Sequence, residues 1–468
     1  MKKHYETHVE DTDKLISVAG PVLDYKSWYE QYRKLMEEQA QRKYGLYTPT
    51  SEGDDDDFPS ISGITARYSA LGLTNEQMAT NPVWADKTGN GHDLQMKNFA
   101  WKEGSGISDI YPGALVFDGV DDYGVCNNFP ILTKEKGYTV VALRQWITYN
   151  PNAISAIATN ASDRSFNGAF TFENYNKGAE QTISYGATQI SLQYSKSPFS
   201  WQTTSKYNGF NIANGNKDAT NSLVLGRSYP QRNEFANFAI WELVFLDHDA
   251  TEEELTKIKD YFVKTYPWLF LDQAWTVVGK TNEDEDRATI ANITGNGNDL
   301  VLSNFGFAEG SGYNEEGEYA GYLVTDGVDD KIVSSVFGMG KDFTIVGDWK
   351  FIGNKGSGTG LVKGSSFYIY NTMIGLDLYI NSGSVKNSFD GIKSINAACS
   401  DGRAYDRNWN EILANTGNVS GSVGMLEVSS SGGRFDRIAF KNLAIYLRIL
   451  SKDDCIKAYN YLQTLKSK

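Results

Sequence analysis

Carboxylates are the first residues to test for chemistry in this chain, because Asp and Glu outnumber Lys and Arg by 58 to 44. Cutting a glycosidic bond needs two carboxyl groups held about 5–9 Å apart on either side of it. The acidic clusters Asp54–Asp57, Glu252–Glu254 and Glu283–Asp286 fall in a linker, at a helix start and in a loop, where solvated charge or capping accounts for them. Glu173, in the strand-like AFTFENY, has no acidic partner at strand spacing. Of the four histidines, His4 and His8 lie near the start and His92 and His248 stand alone. Ser/His/Asp or histidine–metal chemistry therefore has little support. These patterns predict a protein that is not an enzyme and needs no cofactor.

Aromatic faces are the other chemical resource. Trp146, Tyr194, Trp201, Trp349, Tyr370 and Trp409 lie in or near strand-like runs, where an exposed ring could stack on a sugar. The same alternation more often builds a core. A formal net charge of −14 excludes the phosphate-neutralising surface that nucleic-acid binding requires. The cysteines Cys126, Cys399 and Cys455 have no metal-ligand spacing and are expected to be reduced thiols. Neither a signal peptide nor a membrane-spanning apolar run is expected.

Positioning these residues falls to a duplicated element pattern. TGNGHDLQMKNFAWKEGSG (Thr88–Gly106) returns about two hundred residues later as TGNGNDLVLSNFGFAEGSG (Thr294–Gly312). Each copy follows a Thr-Asn-Glu (Thr74 onward, then Thr281 onward) and precedes a DGVDD (Asp118–Asp122, then Asp326–Asp330). A closing segment, Asn237–Asp260, recurs as Arg437–Asn460. So long a period marks a duplicated domain rather than a solenoid. Abundant Gly, scarce Pro and 13% aromatics favour a β-rich chain. Strands are expected at Ala114–Phe117, Gly124–Cys126, Tyr138–Ile147 and Gln189–Tyr194. Gly321–Val324, Lys331–Val333 and Phe343–Ile352 are the counterparts of the first three, and Ser222–Gly226, Phe367–Tyr370 and Leu376–Ile380 are further short strand-like runs. The Asp-Gly pairs are turn signals between them.

Each repeat should end in a helix. Thr251 with Glu254 forms a capping box in the first, and Ser451 with Asp454 a weaker one in the second. Leu255, Ile258, Tyr261 and Phe262 form one apolar face; Cys455, Ala458, Tyr461 and Leu462 form the other. A further helix is expected over Asp24–Tyr44, with Tyr25, Trp28, Tyr29, Tyr32, Leu35 and Met36 in one stripe. It precedes the acidic linker SEGDDDDF and is expected to dock or oligomerise. The expected organisation is an N-terminal region over 1–57, a first sandwich over 58–270 and a second over 271–468.

The Gly-Asn-Gly loop, the DGVDD hairpin and the closing strand-plus-helix resemble the concanavalin A-like, laminin-G-like jelly-roll domains across both repeats. The phrases TNEDEDRAT, TGNGNDL and SNFGFAEGSG resemble tandem jelly-roll proteins of phages and prophages of gut bacteria. The resemblance implies a virion appendage, a head or tail fibre assembled in the host cytoplasm. It would bind other virion proteins through its N-terminal region and touch host surface polysaccharide, as a homo-oligomer and, by analogy, a trimer. Jelly-roll glucanases carry E-x-D-x-x-E on one strand, which neither repeat has. Many laminin-G-like domains bind calcium, which Asp121, Asp122, Asp329 and Asp330 could ligate; turn capping by the same acids is the other reading. His92 faces Asn298 in the second copy, and His248 faces Arg448, so neither is expected to be an obligatory ligand.

Overall fold

The computed structural model describes residues 57–132, 137–148, 155–161, 171–174, 189–194, 219–227, 234–295, 297–353, 359–363, 367–371, 375–380, 388–390, 395–413, 422–428, 430–431 and 434–467. Two compact units divide the chain, Met1–Phe58 and Pro59–Lys468. The expected helix over Asp24–Tyr44, with Tyr25, Trp28, Tyr29, Tyr32, Leu35 and Met36, lies outside the described residues, as does Trp201.

Described residues of the second unit are mainly β, in antiparallel sheets. In the first repeat the elements that matter are β1 (Ile64–Ser69), α1 (Asn75–Thr80), β2 (Leu94–Lys97), β3 (Gly106–Ser108), β4 (Ala114–Asp118), β5 (Tyr123–Cys126), β6 (Thr139–Thr148), β7 (Gln189–Tyr194), β8 (Ala219–Leu225), β9 (Asn237–Leu246) and α2 (Glu252–Thr265). One six-stranded sheet runs β7–β6–β9–β4–β3, with β1 also on β9. The facing sheet holds β2, β5 and β8. Leu94, Met96 and Leu223 from the second sheet join Tyr68, Phe117, Ile240 and Phe245 from the first in one core.

The second repeat supplies β10 (Gln273–Thr276), β11 (Leu300–Ser303), β12 (Gly312–Asn314), β13 (Tyr322–Val324), β14 (Lys331–Met339), β15 (Thr344–Gly353), β16 (Phe367–Asn371), β17 (Ile395–Cys399), β18 (Ser422–Val428), β19 (Arg437–Tyr446) and α3 (Lys452–Leu462). Its larger sheet runs β12–β13–β19–β15–β17, with β10 on β19, which is the order of the first repeat. The expected antiparallel sandwich class is what the chain adopts.

Residue pattern and burial agree strand by strand. LQMK and LVLS alternate buried and exposed, as one-sided strands do. β9 and β19 are buried almost throughout, because a core lies on one face and the outer face carries the closing helix. Both central strand pairs break register at the same place: the shift falls between Ile240 and Glu242 opposite Arg144 and Leu143, and in the second repeat between Asp348 and Trp349. A one-residue bulge flips facing, so Arg144 and Trp349 take equivalent inward positions.

The caps follow the sequence. Thr251 and Glu254 complete a reciprocal box, whereas Ser451 accepts from the Asp454 amide without the return bond. Ile258, Tyr261 and Phe262 are buried on α2 with Leu255 half-buried; all four expected residues of α3 are buried. The short helix α1 was not expected. Its cap, Thr74, opens the repeated Thr-Asn-Glu phrase and Gln77 just beyond it completes the box, but six residues are too few to show a helical period.

Candidate functional site

The motifs that recur in both repeats build the frame. Asn75 on α1 accepts the Ile107 amide at 2.7 Å and donates to its carbonyl at 2.7 Å, imitating a strand partner. Asn282 does the same to Tyr313 at 2.7 and 2.8 Å. The glycines before them, Gly106 and Gly312, permit this approach: a Cβ there would sit 2.3 and 2.5 Å from the asparagine Oδ1.

In the DGVDD hairpins, Asp118 Oδ1 accepts the amides of Val120 at 2.7 Å and Asp121 at 3.2 Å. The Asp122 carboxylate accepts the Asp118 amide at 3.0 Å and the Ser105 hydroxyl at 3.1 Å. Asp326, Asp330 and Ser311 repeat the arrangement. Burial pushes Asp122 up to about 7 and Asp330 up to about 6, against the hydrogen bonds that would lower them. Asp118, Asp121 and Asp122 bring carboxylate oxygens within 4.8 Å of one another, as do Asp326, Asp329 and Asp330. These are hard-oxygen donors of the kind calcium takes. The inner oxygens, however, already hold the turn and the neighbouring serine, so a cation would compete with those donors.

The two repeats part company at the loop end. In the first, the Asp86 carboxylate gathers the amides of Arg67 at 3.0 Å, Thr88 at 3.0 Å and His92 at 3.3 Å. That folds the Gly-Asn-Gly loop over the start of β1, and the Asn90 amide donates to the Thr65 carbonyl at 3.0 Å. His92 lies edge-on to Phe129, 5.7 Å between centroids, and its buried Nδ1 has no hydrogen-bond partner. Between this loop, the Pro130–Leu132 segment and Asp247 opens a pocket of about 370 Å³. Gly63, at φ 76°, passes so close to Asp247 that a Cβ would lie 2.3 Å from its Oδ1.

His248 stands beside the pocket between two carboxylates, Nδ1 to Asp247 at 3.1 Å and Nε2 to Glu254 at 3.2 Å. Partial burial would lower its pKa, but the bonds to Asp247 and Glu254 outweigh that and raise it. With both ring nitrogens engaged, this imidazole has no free lone pair for general-base work. At the equivalent position of the second repeat, Arg448 reaches the Pro267 carbonyl at 3.0 Å, the Phe270 carbonyl and the Asp272 carboxylate at 3.5 Å. There the loop end holds the connection between the repeats, helped by Tyr446 donating to the Trp268 carbonyl at 2.8 Å.

The aromatic candidates scatter. Trp349 is corrected outright: it is 1% exposed in the second core and presents no face to a ligand. Trp146, Tyr194 and Tyr370 sit on β6, β7 and β16, with side chains outside the described part. Trp409 alone is half-exposed among those described. It occupies a left-handed turn position, φ 63°, edge-on to Tyr459 at 5.6 Å. Sequence reasoning missed the group it joins through Tyr459, namely Asp348 with Arg407 and Tyr322. The available signal was the charge in FTIVGDWKFI, an otherwise apolar strand. It also took the His92/Asn298 and His248/Arg448 differences as arguments against a site; among the described residues they fall at the loop end where the first repeat has a pocket.

No protein-family model matches this chain, and no curated protein matches it. Among solved structures, a Trypanosoma rangeli sialidase in complex with the inhibitor DANA is 10% identical over 47% of this chain and 40% of that chain, with a TM-score of 0.30. The chain thus spans about two fifths of that sialidase. The same sialidase in complex with sialic acid aligns over 87% of this chain and 73% of its own, at 11% identity and a TM-score of 0.28. A botulinum neurotoxin serotype D binding domain aligns over 84% of this chain and 97% of its own, at 10% identity and a TM-score of 0.30. Likenesses this distant carry no argument about the chemistry of this chain.

Proposed function

We propose that this chain is a non-enzymatic adhesion protein that takes a host-surface saccharide in the loop-end pocket of its first repeat. The observation that carries the reading is the pocket itself: about 370 Å³, with Asn90, His92 and Asp247 beside Pro130, Ile131 and Leu132. A volume in the small-ligand range with mixed walls suits a pyranose, which offers hydroxyl groups at its rim and C–H bonds on its faces. Among the described residues one carboxylate, Asp247, lines it, and a hydrolase of sugars would need two. Placement on a virion rests on the resemblance of TNEDEDRAT and SNFGFAEGSG to phage appendage proteins. In that setting residues 1–57 attach or oligomerise the protein, and multiple copies turn weak sugar binding into avidity.

A glycan array probed with the full chain and with Ile131→Arg tests the pocket. Ile131 is 43% exposed, so the arginine fills the opening without entering the core. At least one saccharide should bind the parent and lose tenfold or more affinity in the variant. Absence of any saccharide ligand would leave a purely structural decoration role. Deleting residues 1–53 should abolish incorporation into particles; retention would break the attachment assignment.

A further inference from the structure

The outer face of the second repeat, beside α3, carries charge and aromatic surface that the first repeat lacks. Lys350 Nζ lies 4.6 Å from the centre of the Tyr322 ring and 5.9 Å from that of Tyr319. Lys441 Nζ lies 5.9 Å from the centre of the same Tyr322 ring. The Tyr322 hydroxyl donates to Asp348 at 2.8 Å, and Arg407 pairs with the same carboxylate at 3.1 Å. Trp409 and Tyr459 continue the strip. Lys350, Lys441 and Arg407 thus line one strip with two carboxylates, Asp348, nearly buried, and Glu318, bonded to Tyr319, in a chain whose net charge is −14; Lys441 also donates to Gln463 at 2.9 Å.

Among the described residues, the first repeat keeps the Tyr319 position, as Tyr111, and not the charged ones. Register puts Leu143 opposite Glu242 where Asp348 lies opposite Asn442. By the same alignment, Gln145 stands for Lys350, Trp241 for Lys441 and Ala114 for Tyr322. A strand frame shared by both copies does not need these side chains.

We infer that this strip is a second saccharide subsite, specific for a sugar that bears a carboxylate. Stacking on Tyr319 and Trp409 would take the apolar face of the pyranose ring, while Lys350, Lys441 and Arg407 meet its carboxylate. Asp348 holds Arg407 and Tyr322 in place from beneath, so the cations are oriented before a ligand arrives. A single-stranded nucleic acid also uses cations and stacking, but a long polyanion would meet the repulsion of the whole acidic chain, which a short acidic oligosaccharide largely escapes. The inference rests on the saccharide reading of the chain but not on the first repeat's pocket.

The test is titration calorimetry of the full chain with tetragalacturonate, with maltotetraose as the neutral counterpart, at low and at physiological salt. Lys350→Glu, Lys441→Gln and Ile131→Arg are run beside the parent, and circular dichroism checks their folding. Tetragalacturonate should bind more tightly than maltotetraose and weaken as salt rises. Lys350→Glu should lower its affinity tenfold or more and Lys441→Gln less, with Ile131→Arg at parental affinity. No uronate binding at millimolar concentration overturns the subsite. So does uronate binding that survives Lys350→Glu but is lost in Ile131→Arg, an outcome that leaves the pocket standing. Uronate binding sensitive to Lys350→Glu, with no saccharide lost in Ile131→Arg, does the reverse. A single-stranded oligonucleotide that binds with the same salt and Lys350 dependence while the uronate does not would also overturn it.

Discussion

The first and second repeats share their strand order, bulge and turn locks, yet they bury charge in different places. Under α2, the first repeat seals an ion pair: Arg67 Nε is 3.1 Å from Glu242, and neither side chain is more than 5% exposed. Tyr266 and Tyr261 donate to the same carboxylate at 2.7 and 3.3 Å. Under α3, the second repeat has Asn442 in place of Glu242, accepting the Asp348 amide at 3.0 Å and donating to the Leu462 carbonyl at 3.3 Å. Ala274 replaces Arg67, its amide held by Asn292 as that of Arg67 is held by Asp86. Duplication thus preserved backbone satisfaction and released side-chain electrostatics. The strand geometry needs every amide paired, whereas the helix-covered face needs only a set of polar groups that satisfy one another.

The sharpest way to break that comparison is to remove one partner from each face. Glu242→Ala leaves Arg67 buried and uncompensated and should cost about 3–5 kcal/mol. Asn442→Ala removes neutral hydrogen bonds and should cost about 1–3 kcal/mol. Replacing the pair together, Arg67→Ala with Glu242→Asn, imitates the second repeat and should cost less than Glu242→Ala alone. Urea unfolding of the full chain measures all three. Equal losses at Glu242 and Asn442 would mean that the ion pair is no more demanding than the amide.

The next effect separates the two turn locks by pH. Asp122 is held at about 7 and Asp330 at about 6 by burial, both above the ordinary 3.8. A folded carboxyl group that keeps its proton longer than the unfolded one stabilises the fold below pH 4, and that contribution is lost as pH rises through the folded value. Stability should therefore fall between pH 4 and 7 on account of Asp122, and between pH 4 and 6 on account of Asp330. At about 1.36 kcal/mol per pKa unit, the first lock carries the larger total loss. Thermal melts across this range should flatten more in Asp122→Asn than in Asp330→Asn. The opposite order would mean that the second hairpin is the drier one.

The frame itself should treat the repeats alike. Gly106→Ala and Gly312→Ala each drive a methyl group into an asparagine oxygen and should each cost about 1–3 kcal/mol. A loss confined to one would show that α1 and its counterpart do not lock their sandwiches in the same way.

How far the molecule was legible in its sequence follows from which interactions are local. Thr251 and Glu254, the Asp-Gly turns, and the alternation of LQMK act over a few residues, and each stood where the pattern placed it. The contacts that build the pocket and the strip join residues far apart in the chain, such as Gly63 with Asp247 and Asp348 with Arg407. No spacing announces them. Trp349 misled for a related reason: strand alternation cannot tell the core face from the outer one once a bulge shifts the register. The inward place it fills belongs in the first repeat to Arg144, a 1% exposed cation whose pKa burial lowers to about 9. Comparing the copies showed that these positions differ, but only the fold shows which difference opens a site.

The smallest expected effect sits at the two loop ends. His248 is held above its ordinary pKa by Asp247 and Glu254, and a folded imidazole that binds its proton more tightly stabilises the fold below about pH 6.5. That contribution is lost as pH rises through the raised folded value. Its side chain is 34% exposed, so solvent screening keeps the contribution within about 1 kcal/mol. At the equivalent position of the second repeat no imidazole stands between carboxylates. His248→Gln should therefore erase a shallow loss of stability above pH 6.5, while Arg448→Gln should lower stability by a similar amount at pH 6 and 8, because it removes the bonds that hold the 267–272 connection. Melts at pH 6 and 8 decide the matter: a pH-dependent loss in Arg448→Gln, or an unchanged profile in His248→Gln, would show that the open and the filled loop ends do not differ electrostatically as their partners indicate.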